Sequence, residues 1–331
     1  MCAAISGHAG PMMMRREPED PRLAIVWLRR QLLGQGLNDR AIGRLVSDGT
    51  LHRLRYGAYV DATAWGACDA VGQHGLVARA AIKRSDSDVV LSHTSALGEW
   101  DVPIWDMTLD KVHLTRKDRL AGRREAGVIQ HLGKLRDGDV VDLNGIQVTS
   151  PTRTALDCAT VMDTEHSLTM VNDLLHRELV TVEGLAKGQQ FMTKWPGSLR
   201  HGLVLQLADG RCGGSVGEGR SLYLIFRQGL PKAEPQYPVE DHSGVVVAYV
   251  DFAWPEYGVF LEFDGKIKYQ ELLKAGESPT DAVVREKKRE DMIRRLTGWR
   301  CIRITWADLY HPERTAALIR RELFRGQVSA S

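Results

Sequence analysis

The chain has 331 residues, of which 43% are hydrophobic and 26% charged, and its formal net charge at pH 7 is only +2. These values predict a soluble globular protein of two or three domains, in which any nucleic-acid binding must come from local basic clusters. No apolar run is long enough to span a bilayer, which predicts no membrane partner. The five cysteines are scattered without paired spacing, which indicates neither a zinc knuckle nor a disulfide framework and fits a reducing cytoplasm.

The N-terminal part predicts a disordered tail followed by two helices. Residues 1–20 lack the basic and apolar regions of a signal peptide. Arg22–Gln35 form an apolar helical run, and Asn38 is a good N-cap for a second helix, Asp39–Ser47. The apolar residues of this second helix share one face, so Arg40 and Arg44 are expected to point outward.

A basic alternating segment follows the second helix. Leu51–Val60 alternates around a glycine turn, which predicts a small β-hairpin, or wing. Two helices followed by a basic wing are the pattern of a winged helix-turn-helix, in which the second helix reaches the major groove and the wing contacts phosphates. The residues predicted to contact DNA are Arg40, Arg44, Arg53, Arg55 and Tyr56. The alternative is a winged helix that binds protein and exposes a solvated basic face.

The middle of the chain alternates strands and helices. Val89–Leu97 predicts a strand leading into a helix, residues 111–115, 127–131 and 140–149 predict strands, and a helical region runs from Ser150 to about Lys187. Together with the wing at 49–59, this order resembles the antitoxin component of AbiE-type (type IV) toxin–antitoxin systems over about residues 22–187. The resemblance implies a DNA-binding autorepressor with a cognate toxin as a possible partner.

Three polar residues in this region are interpreted as structural. His93 stands alone at a predicted strand end, where a histidine usually caps or packs. Arg153 and Asp157 lie one helical turn apart and are interpreted as an i,i+4 ion pair.

A glycine-rich and proline-containing stretch, residues 188–214, then predicts a domain boundary.

A second predicted hairpin carries acidic residues. The pattern predicts two strands, Val245–Ala253 and Gly258–Asp264, joined by a tight turn at 254–257. Centred there, the hairpin places Asp251 opposite Glu262, with Cβ atoms roughly 4.5–5.5 Å apart. Like charges at that distance repel, and a divalent cation bound to carboxylate oxygens is one way to offset the cost. The alternative is a pair of edge-strand carboxylates that face water.

Four motifs stand in the last third of the chain, namely Gly217–Leu222, Val250–Phe252, Leu261–Gly265 and Gly298–Arg303. With them, this part of the chain resembles the very-short-patch-repair-like branch of the PD-(D/E)XK nucleases. In that family, acids on two neighbouring strands bind the metal, a preceding helix supplies a further Glu, and a basic helix follows. The resemblance implies Mg²⁺ or Mn²⁺ held by Asp251, Glu262 and Asp264, with Glu218 as the helical acid.

This chain departs from the family pattern at one position, because Asp264 stands two residues after Glu262 where the family has Lys. The role of that lysine is assigned to Lys266 or Lys288. An acid at Glu218 is also favoured simply by the dipole of its helix. The basic helix from Pro279 to Leu296 adds candidate DNA-binding residues, Arg285 and Arg289.

These observations predict an α+β multidomain protein. The predicted domains are a tail (1–20), a winged helix-turn-helix (21–62), an α/β antitoxin-like domain (63–190) and a restriction-endonuclease-like mixed sheet flanked by helices (195–327). The predicted function is double-stranded DNA binding with metal-dependent DNA cleavage. The alternative is an autorepressor or antitoxin whose nuclease fold is inactive. A third hypothesis is a defence protein, as in phage defence, or a mobile-element protein, whose nuclease acts only with partners.

Overall fold

The computed structural model describes residues 15–118, 120, 122–125, 127–265 and 279–325. The chain divides into two compact units, Met1–Asp163 with Glu178–Leu205, and Thr164–Arg177 with Gln206–Ser331. The described strands form three sheets, each combined with helices, so the predicted α+β class is confirmed at that level. No described helix has both the length and the apolar character needed to cross a bilayer.

The first unit begins with a small antiparallel sheet in the order β1-β3-β2. The elements, after a 3-10 turn at Pro21–Leu23, are β1 (Trp27–Leu28), α1 (Arg29–Gly34), α2 (Asp39–Ser47), β2 (Leu51–Arg55) and β3 (Ala58–Asp61). The predicted second helix is confirmed, and the Asn38 side chain accepts a hydrogen bond from the Ala41 amide at 2.9 Å. The glycine turn of the hairpin is confirmed as well, because Gly57 has a φ of +67°.

The prediction of one continuous helix over Arg22–Gln35 is wrong. Trp27 and Leu28 instead pair with Tyr59 and Ala58 as a short strand. Leu28 is 5% exposed and packs with Ala58, so pairing as a strand buries its side chain. A helix on the surface would leave part of the Arg22–Gln35 segment exposed, and burial of apolar side chains stabilises the fold. Local periodicity is therefore overridden by the sheet.

A six-stranded mixed sheet forms the rest of the first unit, in the order β6-β7-β5-β4-β9-β8. Its strands are β4 (Val89–Leu91), β5 (Val112–Arg116), β6 (Arg123–Glu125), β7 (Val128–Leu132), β8 (Val140–Leu143) and β9 (Ile146–Thr149). The accompanying helices are α3 (Ala62–Ala67), α4 (Ala70–Arg84), α5 (His93–Leu97), α6 (Pro151–Val161), α7 (Thr164–His176, which belongs to the second unit), α8 (Val182–Phe191) and α9 (Leu199–Leu207). The predicted strand-to-helix transition after Val89 is confirmed.

The second unit is built on a four-stranded sheet in the order β10-β11-β12-β13. Its elements are α10 (Val216–Arg227), β10 (Glu234–Glu240), β11 (Val246–Trp254), β12 (Val259–Asp264), α11 (Pro279–Thr297), β13 (Arg300–Thr305), α12 (Trp306–Leu309) and α13 (Pro312–Leu323). One apolar cluster joins the sheet to α10 and α13, and a second joins it to α11 through Ile293.

The acidic hairpin has the predicted register. Phe252 pairs with Leu261 and Trp254 pairs with Val259, around a short 3-10 turn at Pro255–Tyr257. Gly258 has a φ of +59°, a left-handed conformation that glycine adopts without steric cost. Turn chemistry and alternation therefore suffice to specify this hairpin.

Candidate functional site

The first candidate site is a basic surface on the first unit. Arg40 and Arg44 are both exposed on α2, one turn apart, while Ile42 on the opposite side of that helix is 3% exposed. Asn38 caps the start of the helix and thereby satisfies an amide of its first turn. Because Ile42 anchors α2, the two guanidinium groups are presented to solvent.

The β2–β3 hairpin adds further cations beside a large exposed aromatic ring. Arg53 is exposed, Arg55 is half-buried, and Tyr56 at the tip is 81% exposed. Arg84 donates to the Tyr56 carbonyl, and its guanidinium carbon lies 5.8 Å from the centre of the Tyr56 ring. This contact holds the tip of the hairpin against the end of α4.

The second candidate site is the acidic hairpin of the second unit. The observed register, extended by one residue, places Asp251 across from Glu262. Oδ2 of Asp251 accepts a hydrogen bond from the Phe263 amide at 2.7 Å. The Asp251 carboxylate is therefore tied to the neighbouring strand next to Glu262.

The other two hairpin acids face arginines. Glu262 is 8% exposed, and its Oε1 lies 3.2 Å from Nη2 of Arg289 on α11. Oδ2 of Asp264 lies 3.7 Å from Nη1 of Arg303, whose Nη2 donates to Glu290 at 2.7 Å. Arg289 was predicted as a DNA contact, and the structure places it against a carboxylate and the Tyr249 carbonyl.

Glu218 stands in the first turn of α10 and is held from two sides. The Ser215 hydroxyl donates to its Oε1 at 2.8 Å, and the Gln236 amide donates to its Oε2 at 3.2 Å. Glu218 is 7% exposed. Gln236 has a φ of +48° and stands between the pairs Pro235–Phe252 and Tyr237–Val250, so it neighbours Asp251. No sequence motif distinguishes Gln236, so this residue is not among those predicted.

The donor set of this acidic site suits Mg²⁺, because hard cations prefer carboxylate oxygens. Within the described residues, however, Asp251, Glu262 and Asp264 do not bring one ligand atom each to within 4.8 Å of one another. Ion pairs with Arg289 and Arg303 occupy Glu262 and Asp264 instead. The predicted metal site therefore stays a prediction.

Two of the remaining predicted residues lie on α11. Lys288 is exposed and Arg285 is half-buried. Lys266 lies outside the described residues.

A third cluster, the histidine cluster of His93, His113 and His131, lies in the first unit. One ligand nitrogen from each of the three lies within 4.8 Å of the others, and in the described part of the chain this is the group that meets this spacing. Nδ1 of His113 lies 2.9 Å from Nε2 of His131, and the rings of His93 and His131 stack with their centres 3.7 Å apart.

The topology explains why these histidines meet. Strands β5 and β7 are parallel neighbours, and Thr115 is paired with His131, so His113 lies one diagonal step away. His93 begins α5, directly after β4, which pairs with β5. Burial lowers the pKa of His113 to about 4 and holds that of His93 well below its ordinary value, so both rings are neutral at neutral pH.

A cavity of about 410 Å³ adjoins the histidine cluster, and its lining includes His93, His131, Arg153, Trp195 and Arg200. Arg153 is 1% exposed and pairs with Asp157 at 2.8 Å and with Asp139 at 3.0 Å. The predicted i,i+4 pair is confirmed, although it lies in the interior and not on a helix surface. Burial raises the pKa of Asp157 to about 6 even though Arg153 opposes that shift.

The sequence favours a capping or packing role for His93, and no motif singles out His113 or His131. The available signal is that these last two histidines stand in successive predicted strands. Nothing in the sequence predicts that those strands are adjacent and parallel.

Comparison with known proteins does not assign the chain to a family. No protein-family model matches the sequence, and no curated protein matches it. Among solved structures, the chain is similar to one described as the crystal structure of RV2827C protein from Mycobacterium tuberculosis. That similarity has 15% identity, covers 67% of this chain and 81% of that chain, and has a TM-score of 0.38, a value too low to support a conclusion about fold or function.

Proposed function

We propose that the chain binds double-stranded DNA through a winged helix formed by residues 27–61. The observation that carries this proposal is the sheet order β1-β3-β2, with α1 and α2 between the first two strands and a hairpin after them. A helix pair followed by a β-hairpin is the arrangement in which a second helix enters the major groove.

In this proposal α2 is the recognition helix. Arg40 and Arg44 are exposed and one turn apart, so both reach the same side of the helix. Arginine forms bidentate hydrogen bonds to guanine, which is the commonest base-specific contact in the major groove.

The hairpin in turn contacts the sugar-phosphate backbone. Arg53 and Tyr56 are exposed on β2 and at the tip, where a cation and a hydroxyl suit phosphate oxygens. Such contacts orient the protein on the duplex without reading its sequence. Together with the resemblance to type IV antitoxins, this arrangement supports the role of a transcriptional autorepressor, with a cognate toxin as its protein partner.

The proposal is tested by fluorescence anisotropy, with a labelled DNA duplex taken from the region upstream of the protein's own coding sequence. Arg40→Ala and Arg44→Ala are each expected to weaken specific binding by about 1–3 kcal/mol. Arg53→Ala is expected to weaken binding to every duplex alike and to reduce the slope of log affinity against log salt concentration by about 1. Arg321→Ala is the control, because the Arg321 side chain is 71% exposed in the second unit. Binding that is unchanged by Arg40→Ala and Arg44→Ala would contradict the assignment.

A second candidate function is metal-dependent phosphodiester hydrolysis by the second unit. It is favoured by the register of the acidic hairpin, which sets Asp251 across from Glu262 and ties the Asp251 carboxylate to the Phe263 amide, on the same strand as Glu262. Asp251, Glu262 and Asp264 would hold the ion, which when bound supplies an activated water. The candidates for holding the phosphate are Lys288, which is exposed, Arg285, which is half-buried, and Lys266, which lies outside the described residues.

Nicking of supercoiled plasmid in Mg²⁺ or Mn²⁺ tests this second function separately. Asp251→Asn and Glu262→Gln are expected to abolish nicking while DNA binding persists. Glu256→Gln, at an exposed position on the same hairpin, is the matched control and is expected to cut normally. A wild-type chain that binds DNA and never cuts would reject hydrolysis and leave the DNA-binding proposal standing.

A further inference from the structure

We propose that His93, His113 and His131 form a binding site for one Zn²⁺ ion in the first unit. The site is independent of the proposed DNA-binding surface and of the acidic hairpin, since it is built from α5, β5 and β7. Three imidazoles with a fourth position left open are a ligand set that zinc adopts in proteins.

Geometry is the first support. Two nitrogens bound to a tetrahedral Zn²⁺ at 2.0–2.1 Å lie about 3.3 Å apart. Nδ1 of His113 and Nε2 of His131 are 2.9 Å apart, and one nitrogen of His93 lies within 4.8 Å of both. The ion would replace the proton that these two nitrogens share.

One ring must turn for all three nitrogens to bind. The rings of His93 and His131 are nearly parallel, at 16° to each other, so their lone pairs do not yet point to one place. His131 is half-buried and lines the 410 Å³ cavity, so it is the ring expected to turn. His93 is 5% exposed and is expected to stay in place.

The surroundings of His93 provide the second, independent support. Nδ1 of His93 lies 2.9 Å from the Ser92 hydroxyl and 4.0 Å from Oδ2 of Asp157. That Oδ2 is buried and has no hydrogen-bond partner in the described structure. Zinc-bound histidines commonly direct their second ring nitrogen at a carboxylate or hydroxyl. Asp157 is thus placed to orient His93 for coordination through Nε2.

The cavity determines what completes the coordination. Arg153 and Arg200 line it together with His93 and His131. Arg153 is already neutralised by Asp139 and Asp157, whereas Arg200 contributes a cation at the rim, where it donates to the Thr160 carbonyl at 2.9 Å. The fourth ligand is therefore expected to be a small oxyanion or hydroxide.

Zinc titration of the full-length, tag-free chain against a chromophoric chelator tests the proposal. One Zn²⁺ per chain is expected, with X-ray absorption showing three imidazole nitrogens at about 2.0–2.1 Å. Since loss of a mere supporting residue weakens metal binding 10–100-fold, His113→Gln and His131→Gln are expected to weaken it by more than about 100-fold. His242→Gln, at an exposed position, is the matched control and is expected to bind normally.

Circular dichroism of each variant shows whether it folds. If a variant does not fold, the zinc stoichiometry and the X-ray absorption spectrum of the wild-type chain still test the proposal. A wild-type chain that binds no stoichiometric Zn²⁺ would overturn the proposal. So would folded His113→Gln and His131→Gln variants that bind Zn²⁺ as tightly as the wild type, or a spectrum with fewer than three imidazole ligands.

Discussion

Nη2 of Arg289 lies 3.2 Å from Oε1 of Glu262, so a cation on α11 neutralises a carboxylate on β12 that is only 8% exposed. This contact ties the basic helix to the acidic hairpin within the second unit. It also shows how the unit keeps an acid in its interior, because a buried charge must be paired.

Removing the arginine is expected to destabilise the protein. Arg289→Ala should lower the free energy of unfolding by about 1–2 kcal/mol, less than for a fully buried pair because solvent screens the Arg289 side chain, which is 32% exposed. Urea denaturation measures the change. Arg289→Ala combined with Glu262→Gln should cost less than the sum of the two single changes, and strict additivity would contradict the pairing.

The cap of the proposed recognition helix is a second target. Asn38 Oδ1 accepts from the Ala41 amide at 2.9 Å, so Asn38→Ala should cost about 1 kcal/mol of stability. Asn38→Ser retains a capping oxygen and is expected to cost much less. Thermal or urea unfolding compares the two variants, and equal losses would show that the cap contributes nothing.

The buried side chain of His201 is expected to make the stability of the first unit fall in acid. Its Nε2 lies 2.9 Å from the Leu156 carbonyl, its Nδ1 is buried without a hydrogen-bond partner in the described structure, and burial lowers its pKa below the ordinary 6.5. The unfolded chain therefore binds more protons than the folded chain below that pH, and stability must fall as the pH drops.

The measurement is the free energy of unfolding between pH 7 and pH 5. Its decline on acidification should be shallower in His201→Gln than in the wild type. His242→Gln, which changes an exposed histidine of the second unit, is expected to keep the wild-type slope. An unchanged slope in His201→Gln would remove His201 as a source of the acid sensitivity.

The close packing of α10 against the acidic hairpin is expected to make a side chain at position 217 destabilising. A Cβ on Gly217 would lie 2.0 Å from Cε1 of Phe263, so Gly217→Ala must displace the ring and should cost about 1–3 kcal/mol. Phe263→Leu in the same chain should recover part of that loss. Gly75→Ala is the control, because α4 leaves open space there, and it should stabilise by about 0.5–1 kcal/mol. Similar effects at both glycines would contradict this account.

Local features were predictable from the residues alone. The register of the hairpin around Pro255–Tyr257 and the Asn38 cap of α2 agree with the structure. Both depend on turn chemistry and side-chain alternation over fewer than twenty residues, so the information lies within the segment that forms them. The first helix failed for the converse reason, since Trp27 and Leu28 pair with residues about thirty positions away.

By itself, then, the sequence determined the hairpin after α2, the helix α2 with its Asn38 cap, and the acidic hairpin in which Asp251 lies across one turn from Glu262. Only the tertiary structure decided that His93, His113 and His131 meet, that Arg289 neutralises Glu262, and that Gln236 supports Glu218. Each of these contacts joins elements distant along the chain. Their meeting follows from strand order and helix packing, which are set by burial of the whole core and not by any local pattern.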